Sequence, residues 1–425
     1  MQKNFLIIFI LLSFISKTIT TYEGSATILG RITFADLFGA LSLVFGIRQL
    51  LMGYITSRKI SLVYYAALFM VLLFFMPILL SYNPLATIIE TLIIVFLILV
   101  SVCIYFQFRE KLVEVIFPTL IYTLLIASIL GFYDVLASTV GLPRIFAQRN
   151  DGEAISGFRN AGQAGAYYLV FLTMLIPLRY SSLRNKLSSR TKKVLDITLI
   201  LGLLFFFATG KIAAYIGLVA GILFYAIKRR NIKTVLAILL SIIPLGFVYI
   251  NLERIAPEVY YRIQDKIETR IVQNVEGTSE NNFFSTNWGS AVQTFEDIPL
   301  TGSGLGGFAG NFHQNEVHST YLKMLAETGL IGTFGYVLFM LLVLLLFIKP
   351  KLHDRNVYYD YLSDMLPFFL GCVISWSYTY HLRKREFWIF VAVLMITRFL
   401  AKKKAMSQAQ TRLNYRTHEL GENIQ

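Results

Sequence analysis

The stretch His313–Ile348, HQNEVHSTYLKMLAETGLIGTFGYVLFMLLVLLLFI, decides the fold. From Gly329 onward it carries no charge and reaches the length of about 20 apolar residues that a helix needs to cross a bilayer. The residues before Gly329 are the opposite: His313, Glu316, His318, Lys323 and Glu327 crowd the mouth of the run. Ser319 is a good N-cap, whose hydroxyl accepts from an early backbone N–H. TYLKMLAET then reads as a short helix with Tyr321, Leu322 and Leu325 on one face. Gly329 supplies its stop, and the span starts anew at Leu330. His318 is therefore placed just ahead of a helix N-terminus, where the dipole favours anions and disfavours imidazolium. A neutral imidazole there accepts a proton. Glu327, nine positions on, lies half a turn away and does not face His318. It sits in the last turn, where the dipole opposes a carboxylate, so an arginine or backbone donors should hold it. The plain alternative for both histidines is an ordinary loop or surface position.

Similar runs fill the 425-residue chain, which is 56% hydrophobic and 15% charged. About twelve spans are predicted, near 4–20, 33–51, 60–81, 84–106, 112–133, 160–178, 194–210, 211–227, 231–251, 329–348, 362–381 and 386–401. The fold class is all-α: a polytopic integral membrane protein with a large extracytoplasmic loop. A β-barrel would show short alternating strands instead. The first run follows Lys3 like a leader segment, but no small-x-small site follows its apolar core, so it reads as a span. The organisation expected is helices 1–9 in 1–251, a loop at 252–328, helices 10–12 in 329–401 and a basic tail at 402–425.

A net charge of +14 raises the question of nucleic acid, but the distribution of the charge answers it. With a cytoplasmic N-terminus and one crossing per span, most of the 39 basic residues fall on the inner side, including Arg184–Lys193, Lys228–Lys233 and the tail. That is the positive-inside pattern. It places both termini in the cytoplasm. Cys103 and Cys372 fall inside spans, which argues against a disulfide, and two cysteines are too few for a zinc site.

Two outer loops are long. Asp134–Arg159 contains GLPRIFAQRNDGEAISGFRN, and 252–328 is the longest polar stretch, with ten acidic and five basic residues. A loop of that length carries structure and function of its own. PEVYYRIQDKIETRIVQNV reads as an amphipathic helix, NWGSAVQTFED as a second short helix and IPLTGSGLGGFAG as a glycine-rich turn. GSGLGG matches the dinucleotide fingerprint only formally, since it lacks the βαβ context. Its glycines suit tight turns near substrate or span ends. TGK at 209–211 is not a phosphate-binding loop, lacking the upstream glycine and the following hydroxyl residue. No internal repeat is visible, which argues against a transporter built from inverted halves.

HSTYLKMLAETGLIG resembles the loop motif of the bacterial O-antigen ligase and O-antigen polymerase family, a histidine and small polar residue, a Tyr-Leu helix, then Ala-Glu-x-Gly leading into a span. NWGSAVQTFEDIPLTGSGLGGF is similar to the family's tryptophan and glycine-rich stretch, and SGFRNAGQAGAYYLVFLTML to its approach to a mid-chain span. FFATGKIAAYIGLVAGIL stands where the family shows Thr-x-Ser-Arg-Gly, so Lys211 replaces an arginine. The arginine often found just before the tryptophan is absent. The motifs cover roughly 155–348.

The resemblance implies an inverting, metal-independent glycosyltransferase that needs no cofactor. It would move a glycan from undecaprenyl pyrophosphate to a sugar hydroxyl, on a lipid A core or another lipid-linked chain. It makes His318 the general base or acceptor-orienting group, with His313 a second candidate base and Glu327 a catalytic-site carboxylate. Lys211, Arg159, Arg270 and the cluster Arg383, Lys384, Arg385 would bind the pyrophosphate, and Ser319 and Tyr321 would line the substrate site. The 383–385 cluster sits on the outer side against the positive-inside rule, as an anionic ligand or a shifted span boundary would explain. Polymerase and ligase remain open alternatives. So do a protein O-oligosaccharyltransferase of the same family and a twelve-span transporter or flippase using the intramembrane Glu90.

Overall fold

A computed structural model describes residues 1–16, 32–55, 61–146, 154–229, 283–348 and 356–422, with a few positions between 253 and 264. Among these residues the regular structure is helical, with no strand and an isolated bridge between Ala309 and His313. The first helices are α1 (Gln2–Leu11), α2 (Phe34–Ile55), α3 (Leu62–Phe75), α4 (Pro84–Phe108), α5 (Phe117–Val140) and α6 (Ala161–Tyr180). They are followed by α7 (Ser189–Ala208), α8 (Ile212–Arg229), α9 (Phe283–Asp297), α10 (Thr320–Leu345), α11 (Val357–Ser375) and α12 (Arg385–Glu422).

Short polar residues start these helices. Ser61, Asn83, Asn160 and Ser188 each accept an early backbone N–H at the head of α3, α4, α6 and α7. Pro84 opens α4, where a missing N–H removes no helical bond. Among the described residues six helices are long and apolar enough to cross a membrane: Leu62–Leu80, Pro84–Phe108, Leu112–Ala137, Ala161–Tyr180, Ile212–Arg229 and Thr320–Leu345. The helices α8 and α11 meet where Gly217 faces Gly371. A Cβ on Gly371 would lie 2.1 Å from the Gly217 carbonyl oxygen, so the close crossing depends on small residues.

Several boundaries differ from expectation. The first run is helical only to Leu11 and then turns over 12–14. The run expected at 362–381 ends as a helix at Ser375 and continues as a single 3-10 turn, Trp376–Tyr378, which puts His381 in a connection. The helix α7 starts at Ser189, where Ser188 caps it, rather than at 194. The helix α12 runs on without interruption through the residues read as a span and a tail. The span expected at 231–251 lies outside the described residues. So does the helix read over 257–275, apart from Tyr260, Tyr261 and Gln264.

Polar contacts mark two ends of the bundle. At one, Ser16 N–H donates to Gly157 O at 2.9 Å, Tyr82 N–H to Ser303 O at 3.0 Å, and Arg385 reaches Asp36 and the Ser13 carbonyl. At the other, ion pairs join Arg184 to Asp196, Lys228 to Asp364 and Lys403 to Glu110. The first end holds the histidine motif.

Candidate functional site

The glycine-rich turn folds against the break in α10. Gly329 has φ 57° and ψ −161°, a conformation open to glycine almost alone, and it divides α10 into two helical pieces. The break exposes two backbone donors to the turn: Leu330 N–H donates to Pro299 O at 2.8 Å and Ile331 N–H to Leu300 O at 3.2 Å. Gly302, with φ 64°, lies on the other side of the same contact. A Cβ at Gly329 would sit 2.4 Å from the Leu300 carbonyl, and one at Gly302 would sit 2.5 Å from the Glu327 carbonyl carbon.

Beneath the turn lies a buried charge network. Glu327 is fully buried, and its Oε2 accepts the Gly306 N–H at 2.6 Å. Its Oε1 lies 3.0 Å from the Nζ of Lys323, also fully buried. The expected backbone donor is thus present, and a lysine one turn earlier stands where an arginine was expected. Lys323 also approaches Glu316 at 3.6 Å. Arg383 forks onto Glu316 at 2.6 and 3.1 Å and reaches Glu90 at 2.9 Å. The Tyr380 ring lies between the two cations, 4.8 Å from Lys323 Nζ and 5.7 Å from Arg383 Cζ. Burial pulls the Glu316 carboxyl upward, but Arg383 and then Lys323 overcome it and hold the group far below the usual carboxylate range. Glu90, which a transporter would use for a travelling ion, is engaged by this network.

The two histidines stand in different surroundings. His318 is exposed, directly ahead of the Ser319 cap that accepts Leu322 N–H at 3.4 Å. Glu327 is sealed in the interior, so the structure keeps this pair apart. His313 is half-buried, and its Nδ1 accepts Asn315 N–H at 3.0 Å and lies 3.2 Å from Asn287 Nδ2. A neutral ring whose Nδ1 accepts must carry its proton on Nε2, so His313 presents a donor rather than a base. Ser319 is buried beneath its cap, and the Tyr321 hydroxyl donates to Val373 O.

The cations are also sorted. Arg385 is clamped by Asp36 at 2.8 and 2.9 Å, by the Thr33 hydroxyl at 2.6 Å and by the carbonyls of Ser13 and Ile15. Arg383 serves the buried network. Lys384, between them, makes no ion pair with a carboxylate among the described residues. Burial lowers its ammonium to about 8, opposed chiefly by Glu386. Lys211 packs on the first turn of α6, its Nζ 3.6 Å from where a Cβ on Gly162 would stand. Arg159 is exposed immediately before that helix, with its backbone N–H on the Ser16 hydroxyl at 3.0 Å. Arg270 lies outside the described residues.

Three participants escaped the sequence reading. Asn287, fully buried in α9, contacts His313 and the backbone of Asn315, Glu316 and His318. The one signal for it was its place before Trp288, where an arginine was missed. Glu316 was read only as a loop charge. His381 stacks on Trp376 with ring centroids 3.7 Å apart, and its Nδ1 lies 3.0 Å from the Thr320 hydroxyl, which itself donates to Thr379 O. The imidazole Nδ1 is therefore the donor. Burial drives its proton affinity down, so the ring is neutral.

These features define a class: an all-helical protein with membrane-crossing helices and a folded loop carrying histidine and buried ion pairs at one end of the bundle. Residues 197–337 match the family model described as O-Antigen ligase, which shows the O-antigen ligase and polymerase resemblance for the stretch holding Lys211, His313, His318 and Glu327. No curated protein matches the chain.

Proposed function

We propose that the protein is a membrane glycosyltransferase that moves a glycan from undecaprenyl pyrophosphate to a sugar hydroxyl. The observation that carries this reading is His318, exposed at the head of α10 within the family-matched residues, on a loop that the buried network fixes in place. The chain crosses the bilayer about twelve times, with the loop end outside and both termini in the cytoplasm, in a bacterial inner membrane. The basic residues at the opposite end of the bundle support that orientation.

In the proposed reaction the acceptor hydroxyl attacks the anomeric carbon from the face opposite the diphosphate, and the configuration inverts. A new C–O bond forms, the bond to the diphosphate oxygen breaks, and its electron pair leaves with the diphosphate. His318 takes the hydroxyl proton. Lys384 and Lys211, with Arg159, neutralise the departing diphosphate, while Arg383 and Arg385 hold the frame. The Nε2–H of His313 donates to a substrate oxygen. Glu327 keeps the α10 break and the glycine turn in register. The diphosphate is a good leaving group, so the protein's own residues need only orient, deprotonate and neutralise.

The test is a polysaccharide gel of a deletion strain complemented with wild type or with His318→Ala. A surface glycan reduced to single repeats assigns a polymerase. Full-length chains retained on the lipid carrier assign a ligase. An unchanged glycan on deletion, or full complementation by a membrane-inserted His318→Ala protein, refutes the reading.

A further inference from the structure

The residues between the His313 bridge and the Ser319 cap form neither helix nor strand. Arg383 grips them at Glu316, and one further side chain touches them along the rest of their length. Asn287 Nδ2 lies 3.2 Å from His313 Nδ1, 3.3 Å from Glu316 O and 3.5 Å from Asn315 O. Its Oδ1 accepts the His318 N–H at 3.4 Å. Chemistry fixes the orientation of the carboxamide. Carbonyl oxygens face one end, which must therefore be the NH2 group, and a backbone N–H faces the other, which must be the oxygen. A fully buried amide so engaged has a single place to sit, because turning it over would bring oxygen against oxygen. The next residue in α9 anchors the helix itself: the Trp288 ring packs on Tyr378 at 5.3 Å.

We propose that Asn287 is the positioning residue of the site: its carboxamide sets the register of residues 313–318 and so fixes where His318 presents its imidazole. This rests on His318 being the proton acceptor. Asn287 touches no reacting atom; it acts through the backbone of the segment that carries the base.

Asn287→Asp tests the idea because it preserves shape. A carboxylate still accepts the His318 N–H, but its second oxygen opposes the carbonyls of Asn315 and Glu316. Protonation of that carboxyl restores a donor. Full-length wild type, Asn287→Asp and His318→Ala are purified in detergent and assayed with the lipid-linked glycan that accumulates in the deletion strain. At about pH 7.5 the aspartate variant should lose about tenfold or more in kcat, with the KM for the donor changed less than about twofold. Burial against two carbonyl oxygens should raise that carboxyl well above the ordinary aspartate range, so relative to wild type the variant should recover by about fivefold as the pH is lowered to about 5.5. Should Asn287→Asp fail to reach the membrane, Asn287→Ser must show the same split between kcat and KM. Wild-type kcat in a folded variant, or a loss that is flat with pH in the aspartate protein, overturns the proposal. An active His318→Ala in the same assay overturns the functional reading instead, so the two failures are separable.

Discussion

Lys323 and Glu327 face each other one helical turn apart, Nζ to Oε1 at 3.0 Å, and neither side chain has any exposure. Burying two charges costs more than a single contact returns unless further partners satisfy them. Gly306 N–H donates to Glu327, and Glu316 adds a longer ionic approach to Lys323 at 3.6 Å. Glu327→Ala strands the ammonium of Lys323 in the interior and should destabilise the protein by about 3–5 kcal/mol. Lys323→Met together with Glu327→Leu should cost less than Glu327→Ala alone, as read by thermal unfolding of the detergent-solubilised protein.

The Glu316–Arg383 contact predicts an acid limit. Glu316 has a folded pKa far below its unfolded value, so its contribution is complete above the unfolded carboxylate pKa of about 4.3 and is lost as pH falls toward the folded one. Unfolding midpoints should therefore decline with acidification below that point. In Arg383→Gln the decline should be shallower and the midpoint already lower at neutral pH. An unchanged acid slope in the variant would show that Arg383 does not hold the carboxylate down.

Lys384 predicts opposite trends in two measurements. Its ammonium titrates at about 8 in the folded protein and at about 10.4 in the unfolded chain. Between those values the unfolded chain binds the extra proton, so stability rises with pH through the window. Under the proposed function the donor's diphosphate would lose this cation over the same range, so donor KM should rise above pH about 8. Lys384→Met should remove both trends and should raise donor KM about tenfold at neutral pH.

Gly329→Ala should be among the most damaging substitutions in the chain. Any Cβ there meets the Leu300 carbonyl at 2.4 Å, in a backbone conformation that L-residues rarely adopt. The expected cost is about 3 kcal/mol or more, with loss of glycan transfer even where some protein still inserts. Wild-type melting and glycan in this variant would mean that the break is not needed.

Much of this architecture was legible before any coordinates. The apolar runs marked the helices because a bilayer demands unbroken hydrophobic length. Ser319 and Gly329 announced the two ends of the motif helix because capping and left-handed backbone need those residue types. What stayed hidden was long-range. Nothing local says that Arg383 will meet Glu316 and Glu90, or that Arg385 will spend its guanidinium on Asp36; a charge run at 383–385 reads as a ligand site until its counter-ions are placed. Asn287 was invisible for the same reason, since a buried amide is defined by what surrounds it. The end of α11 at Ser375 also escaped, because Trp376–Tyr380 carry no charge to mark the end of a span although the α-helix stops before them.

The order of the chain gives Arg383 and Arg385 a further consequence. Glu90, Asp36 and Glu316 all leave the ribosome before the arginines that bridge them. A nascent chain therefore carries its histidine loop into the membrane with those carboxylates still without these arginines. The loop is clasped only when the final helical hairpin arrives, so a chain released short of residue 385 would be inserted, but with its histidine loop lacking the arginine clasp.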